Sequence, residues 1–258
     1  SNSNELDLVT DSEINTLGEE KIVMVDAINH GLSEELENNN KMVLYGQDIA
    51  GGKGGVFTVT RDLTKKFGKE RVFNAPLAES SIVGTAIGMA TFGYKPIVEI
   101  QFGDYIWTAM MQIRNELATL RYRSNGDWSC PVVIRVPVGG YIHGSLCYSQ
   151  SIDGYFTHMP GVHIAYPSNA ADAKSLLKTA CRMDDPILFL EHKGLYRQNY
   201  ASSMEPDKDT FLKFGKGKYV SRGDQLTIIT WGATVQKSIE AIKTLNVSAD
   251  IIDLRTLA

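Results

Sequence analysis

Glu79 is the side chain from which chemistry can be built. It stands in RVFNAPLAESSIVGTAIGMA (71–90), after a short apolar run that ends at Asn74, Ala75 and Pro76, and no other residue from Val72 to Ala90 carries charge. A carboxylate in a first helical turn interacts favourably with the helix dipole. It can also hold or move a proton where water is excluded. Position alone favours the first use. The small residues Gly84, Ala86, Gly88 and Ala90 then let the helix be approached closely on several sides.

Other candidates are weighed in the same way. The five histidines (30, 143, 158, 163 and 192) show no HExxH or other paired metal spacing. His30 reads as a helix-face residue. His143 is more suggestive, because GGYIHGSLCYSQS (139–151) is a long Gly-containing loop directly after a β-branched run, and such loops carry sites. Ser145, Ser149 and Ser151 lie in no GxSxG elbow, which argues against a serine hydrolase. GGKGG (51–55) matches neither GxxxxGK[ST] nor GxGxxG, so it reads as a turn, and Lys53 alone makes no phosphate cradle. The charges of QIRNELATLRYRS read as a solvated or interface helix face.

The elements that position these groups alternate. Helical spacing runs through IVMVDAINHGLSEELENN, VTRDLTKKFG, the segment after Glu79 to Gly93, and YIWTAMMQIRNELATLRYRS, which predicts one long helix. Strands are predicted at KMVLYG (41–46), RVFNA, KPIVEIQF (95–102), within CPVVIRVPVGG (130–140), at VHIAYP and at PILFLEH. Asn169 with Asp172 predicts a capped helix start in SNAADAKSLLKTACRM. Strands separated by such helices imply an α/β fold, a parallel sheet covered on both faces. Ligands of such sheets sit beyond the carboxyl ends of the strands. That rule puts Gln47, Leu77–Glu79, Gln101–Tyr105 and Gly139–Gln150 on one rim.

The polar opening, residues 1–20, reads as a tail or linker, 21–192 as the main domain, and 193–215 as a connection. Residues 216–258 read as one βαβ unit, the start of a second α/β domain that is incomplete as given; with no initiating Met, the chain reads as a fragment. Composition bounds the rest. The chain has 258 residues, 43% hydrophobic and 22% charged, with net charge −4. Basic residues form no stripe, so nucleic acid is not an expected partner. No apolar run is long enough for a membrane span. Three cysteines without a CxxC pair suit a reducing, cytoplasmic setting.

Read together, YGQDIA…GGVF, RVFNAPLAESSIVG, EIQFGDYI, RYRS, YSQS…FTHMPG, YPSNAADAKSLLK, DDPILFLEHKGLYR and DLRT resemble one family from about Ile22 onward. The chain resembles the β subunit of the thiamine-diphosphate-dependent E1 component of 2-oxoacid dehydrogenase complexes. EIQFGDYI and RYRS look more like branched-chain than pyruvate types. The resemblance implies a thiamin-diphosphate-binding fold with a pyrimidine-binding domain, followed by the start of a transketolase C-terminal-like domain. It implies decarboxylation of a 2-oxoacid with acyl transfer to lipoamide. An acetoin dehydrogenase, a transketolase-like thiamine enzyme and a non-catalytic assembly homologue are the alternatives.

By the same resemblance, Glu79 of PLAE hydrogen-bonds N1′ of the aminopyrimidine, which reverses the weighing made from position alone. Leu77 touches that ring, Tyr105 stacks near it, and Gln101 hydrogen-bonds nearby. Gln47 stands where branched-chain types usually carry Glu. Tyr148 stands where the family has the His of HSQ, a residue that orients substrate and donates protons, and His143 is five residues upstream. Diphosphate and Mg²⁺ are expected on an E1 α subunit or a fused α half, since NGDW (125–128) is not the family's GDG…N motif. The implied assembly is two α with two β chains, or a homodimer of a fused chain, serving a lipoyl acyltransferase E2. A K⁺ held by backbone carbonyls is implied near 131–135 and 181–185.

Overall fold

A computed structural model describes residues 14–257. In chain order the elements of the first layer system are β1 (Thr16–Ile22), α1 (Met24–Asn38), β2 (Met42–Gly46), α2 (Leu63–Phe67), β3 (Val72–Asn74), α3 (Glu79–Thr91) and β4 (Lys95–Glu99). After them come α4 (Leu120–Arg123), β5 (Val133–Val138), α5 (Asp153–Phe156), β6 (His163–Ala165), α6 (Ala170–Arg182) and β7 (Ile187–His192). Six strands form one parallel sheet in the order β3-β2-β4-β5-β7-β6.

Alternation along each strand divides the core. Met42, Leu44, Ile97, Val133, Ile187 and Phe189 pack under α1 and α6. Val43, Tyr45, Val98, Ile134, Leu188 and Leu190 pack under α3 and the segment after β4. Both faces are therefore covered, as parallel sheets require. The predicted cap of α6 is present: Asn169 Oδ1 accepts from the Asp172 backbone N–H at 3.0 Å.

A charge crosses the α1/α6 face. The fully buried Arg135 guanidinium makes two bonds to Glu191, at 2.7 and 2.8 Å, and one to Glu99 at 2.7 Å. The Tyr196 hydroxyl donates to the same Glu191 at 2.6 Å. The triad joins β4, β5 and β7 through side chains as well as through the ladder.

Two expectations are corrected. The single long helix after residue 103 is a composite: a 3₁₀ stretch (Gly103–Ala109), a π stretch (Gln112–Leu117) and then α4. Tightening and loosening offset each other, so Ile106, Ala109, Ile113 and Leu117 all reach the core. Gly161 enforces part of this geometry, because a Cβ there would lie 2.0 Å from the Ala118 carbonyl oxygen. The second correction concerns the polar opening. Residues 1–13 lie outside the described residues, but 16–20 belong to β1, which pairs antiparallel with β8 (Ser203–Pro206). A polar strand of this kind has no alternation to announce it; its partner's backbone makes it.

The stretch 193–215 holds β8 and two 3₁₀ turns, Lys193–Leu195 and Asn199–Ala201. Beyond it, β9 (Lys218–Ser221), β10 (Leu226–Thr230), α7 (Ala233–Leu245) and β11 (Ala249–Asp253) form a mixed sheet, order β10-β11-β9. β9 is an addition to the expected βαβ unit and runs antiparallel to β11. The DLRT segment ties the two sheets together. Arg255 grips buried Asp172 of α6 through two 2.9 Å bonds, and the Tyr166 N–H donates to the Arg255 carbonyl at 2.8 Å.

Candidate active site

The carboxyl ends of β2, β3, β4 and β5 share one edge, so the predicted rim exists as a surface. Gln47 follows β2, Glu79 opens α3, Gln101 and Tyr105 follow β4, and the loop 139–150 follows β5. α3 begins after Ala78, whose backbone is non-helical, and no side chain caps it; Glu79 itself lies in the first turn.

Glu79 is held on both oxygens. Gln47 Nε2 donates to Oε1 at 3.0 Å, and Thr108 Oγ1 donates to Oε2 at 3.0 Å. Ser80 Oγ, on the next residue of α3, donates to the Thr108 carbonyl. Gln101 Nε2 faces the Gln47 carbonyl and Asp48 Oδ2, each at 3.4 Å. Gln47 is 2% exposed and its Oε1 has no hydrogen-bond partner. That orphaned acceptor lies beside a half-buried carboxylate, and Leu77 stands next to it 82% exposed. A ligand edge with an N–H for Gln47 and a ring nitrogen for Glu79 fits this geometry.

An aromatic group forms the other side. The Phe102 ring packs edge-on against Tyr148 at 4.8 Å and against Tyr105 at 5.5 Å, and Tyr105 and Tyr148 lie 6.1 Å apart. The Tyr148 hydroxyl beside it, with some burial, pushes the Tyr105 phenol up to about 12. The structure thus joins Tyr148 to Tyr105, and joins Gln47, Gln101 and Glu79 by hydrogen bonds. His143 is exposed on the loop with a left-handed φ of 56°, and no hydrogen bond among the described residues ties it to the Glu79 cluster.

Two residues, Thr108 and Lys193, were not marked by sequence reasoning, and His192 was weighed only for metal spacing. Thr108 gave no signal, because its link to Glu79 depends on the 3₁₀ turn. His192 ends β7 and Lys193 follows it, where the rim rule could have found them. Lys193 is 2% exposed, its Nζ has no hydrogen-bond partner, and it sits 5.5 Å from the Phe102 ring centroid. Burial pulls the Lys193 ammonium down to about 8. Burial likewise pulls His192 to about 4, so its ring is neutral at pH 7, with Nδ1 accepting from the Gly194 N–H at 3.1 Å.

Away from the rim, Lys53 of the Gly-rich loop pairs with Asp48 at 3.0 Å in an exposed turn. At the turn where a monovalent cation was expected, the Met183 carbonyl accepts from buried Lys95 Nζ at 2.7 Å. Among the described residues no group of three or more His, Cys, Asp or Glu is placed to hold a metal, and no helix is long and apolar enough to cross a membrane.

Comparison with known proteins adds the following. The transketolase pyrimidine-binding domain matches residues 20–199, and the transketolase C-terminal domain matches 215–258. The 2-oxoisovalerate dehydrogenase subunit beta of Bacillus subtilis (strain 168) is 46% identical over 236 residues, covering 90% of this chain and 71% of that one. The pyruvate dehydrogenase E1 component subunit beta of the same organism is 39% identical over 241 residues, covering 92% and 73%. The mitochondrial 2-oxoisovalerate dehydrogenase subunit beta of Dictyostelium discoideum is 42% identical, covering 95% and 67%. Among solved structures, a split-gene transketolase, an inactive beta4 tetramer, superposes with TM-score 0.69 at 23% identity, over 91% of this chain and 71% of that one. That likeness concerns the fold alone.

Proposed function

The chain belongs to the family of 2-oxoacid dehydrogenase E1 β subunits, with a transketolase-type pyrimidine-binding domain, and we propose that it supplies the pyrimidine half of a thiamine-diphosphate site. The observation that carries this reading is Glu79, fixed at the start of α3 between Gln47 and Thr108, beside the unpartnered Oε1 of Gln47. An aminopyrimidine would be held by Glu79 through its ring N1′, with Gln47 steadying the carboxylate from the other side. When bound, the cofactor supplies the electron sink for decarboxylation. Glu79 contributes the acid–base contact, holding a proton at N1′. Leu77 and Tyr105 give the ring apolar surface, and Gln101 steadies Gln47 through its carbonyl. Tyr148 takes the place of the usual histidine beside the substrate and offers one hydroxyl; His143 is assigned a supporting proton role if the loop 139–150 closes.

The substrate assigned is a branched-chain 2-oxoacid, because 46% identity to a 2-oxoisovalerate dehydrogenase subunit exceeds the 39% to a pyruvate dehydrogenase subunit. Diphosphate and Mg²⁺ are assigned to an E1 α subunit or a fused α half. The exposure of Leu77, 82%, supports a site completed at an interface. The assembly is then two α with two β chains, or a homodimer of a fused chain, passing its acyl group to the lipoyl group of an E2 acyltransferase. A K⁺ at the turn 181–185 would compete with the Lys95 ammonium for the Met183 carbonyl. The three cysteines stay unpaired, which suits a reducing, cytoplasmic setting.

The test is steady-state decarboxylation by the chain assembled with its α partner, thiamine diphosphate and Mg²⁺. A kcat/KM for 2-oxoisovalerate at least about 10-fold above that for pyruvate is expected, the worth of filling an apolar pocket with extra methyl groups. Equal or reversed preference removes the branched-chain assignment. No turnover with either acid, regained in Tyr148→His, makes the chain a homologue without its proton donor.

A further inference from the structure

Glu79 could be a first-turn acid whose orientation is set only by α3. The geometry says otherwise, because two different elements take its two oxygens, Gln47 after β2 and Thr108 in the 3₁₀ turn. We propose that Thr108 is a positioning residue for Glu79, a hydroxyl that aims the carboxylate and keeps its hold while a ligand uses the outward lone pairs.

The tie has two points. Thr108 Oγ1 donates to Glu79 Oε2 at 3.0 Å, and Ser80 Oγ donates back to the Thr108 carbonyl. Residues 79 and 80 of α3 are therefore both fastened to residue 108, which fixes the turn against the helix start. Thr108 lies exposed in the 3₁₀ stretch Gly103–Ala109, between the core residues Ile106 and Ala109.

The hydroxyl has one proton and two acceptors. Besides Glu79 Oε2 at 3.0 Å, the Tyr105 carbonyl lies 3.3 Å from Thr108 Oγ1. A charged carboxylate is the stronger acceptor and here the nearer one, so the proton points to Glu79. The Tyr105 carbonyl stays a second, more distant acceptor on the same hydroxyl. An ionised carboxylate accepts at about four lone-pair sites. Gln47 and Thr108 use one on each oxygen and leave the outward ones for ligand. The β-branched side chain narrows the χ1 choices and holds the hydroxyl in place.

The role in turnover rests on the function proposed above, whereas the aiming of Glu79 is a property of this chain. Thr108→Val keeps the shape and removes the donor; Thr108→Ser keeps the donor. In the protein assembled with its α partner, kcat with a 2-oxoacid should fall about 10-fold in Thr108→Val. The Kd for thiamine diphosphate, measured by equilibrium titration, should change less than about 2-fold, a shift under half a kcal/mol. Thr108→Ser should recover most of the kcat. A merely structural role would move Kd, Tm and kcat together, and serine would not rescue. The second readout needs no turnover. In crystals of the assembled protein without cofactor, the Glu79 carboxylate should rotate away from its present orientation in Thr108→Val, while α3 stays in place. An unmoved carboxylate, or a wild-type kcat in Thr108→Val, overturns the proposal. Absence of turnover in the wild type would instead count against the E1 function, and the crystal comparison would still decide the role of Thr108.

Discussion

Each oxygen of Glu79 has one neutral donor, and the two donors differ in how visible they are in the sequence. Gln47 follows an apolar run closed by Gly46, so the rim rule finds it together with Leu77, Gln101 and Tyr105. Thr108 was invisible, because spacing along a regular helix gives it no reason to face residue 79. Lys193 was passed over because the stretch after 192 lacks periodicity, although a strand end on the rim is where such a group belongs. Its ammonium is buried without a hydrogen bond, which disfavours the charged form. The folded pKa of about 8 lies below the ordinary 10.5. Between those values the unfolded chain binds more protons, so stability rises with pH across that window, and the full penalty is present below about 8. Lys193→Met keeps the apolar stem on Phe102 and removes the charge. Its Tm at pH 7 should exceed that of the wild type, and the difference should shrink as pH approaches 10. A lower Tm at every pH would mean that the ammonium has a partner holding it.

At the scale of elements, the sheet strands and the helices α1, α3 and α6 were legible from periodicity because their burial is regular. The segment from 103 to 123 was not. Ile106, Ala109, Ile113 and Leu117 keep the 3-4-4 spacing of an α-helix face, so periodicity could not show the 3₁₀ and π stretches that carry them. β1 was read as tail for a different reason, since six of its seven residues are exposed and only pairing with β8 makes it a strand. The Arg135 triad was equally hidden, as three charges in apolar runs look like edge positions until the register sets them together. Removing one partner of a buried charge group leaves the rest uncompensated. Arg135→Met should therefore cost about 3–5 kcal/mol in urea unfolding, far more than a surface arginine. A loss below about 1 kcal/mol would show that Glu99 and Glu191 satisfy themselves by taking up protons.

On the scale of the whole molecule, six parallel strands bring four chain segments to one edge, and the DLRT latch holds the second sheet against the first through Arg255 and Asp172. The fold class and the rim followed from alternation of strand and helix. The role proposed for the rim rests on the resemblance, since position alone favours Glu79 as a helix-dipole acid. An exposed Leu77 beside a clamped carboxylate then makes sense as half of a site that a partner closes. The central claim is that Glu79 is the acid–base contact of that site. The most direct measurement is exchange of the C2 proton of thiamine diphosphate in the chain assembled with its α partner and Mg²⁺, for wild type beside Glu79→Gln. Fast exchange is expected in the wild type and a loss of at least about 100-fold in Glu79→Gln, with Tm unchanged. Exchange retained in Glu79→Gln would contradict that claim and return Glu79 to the role of an acid at a helix start.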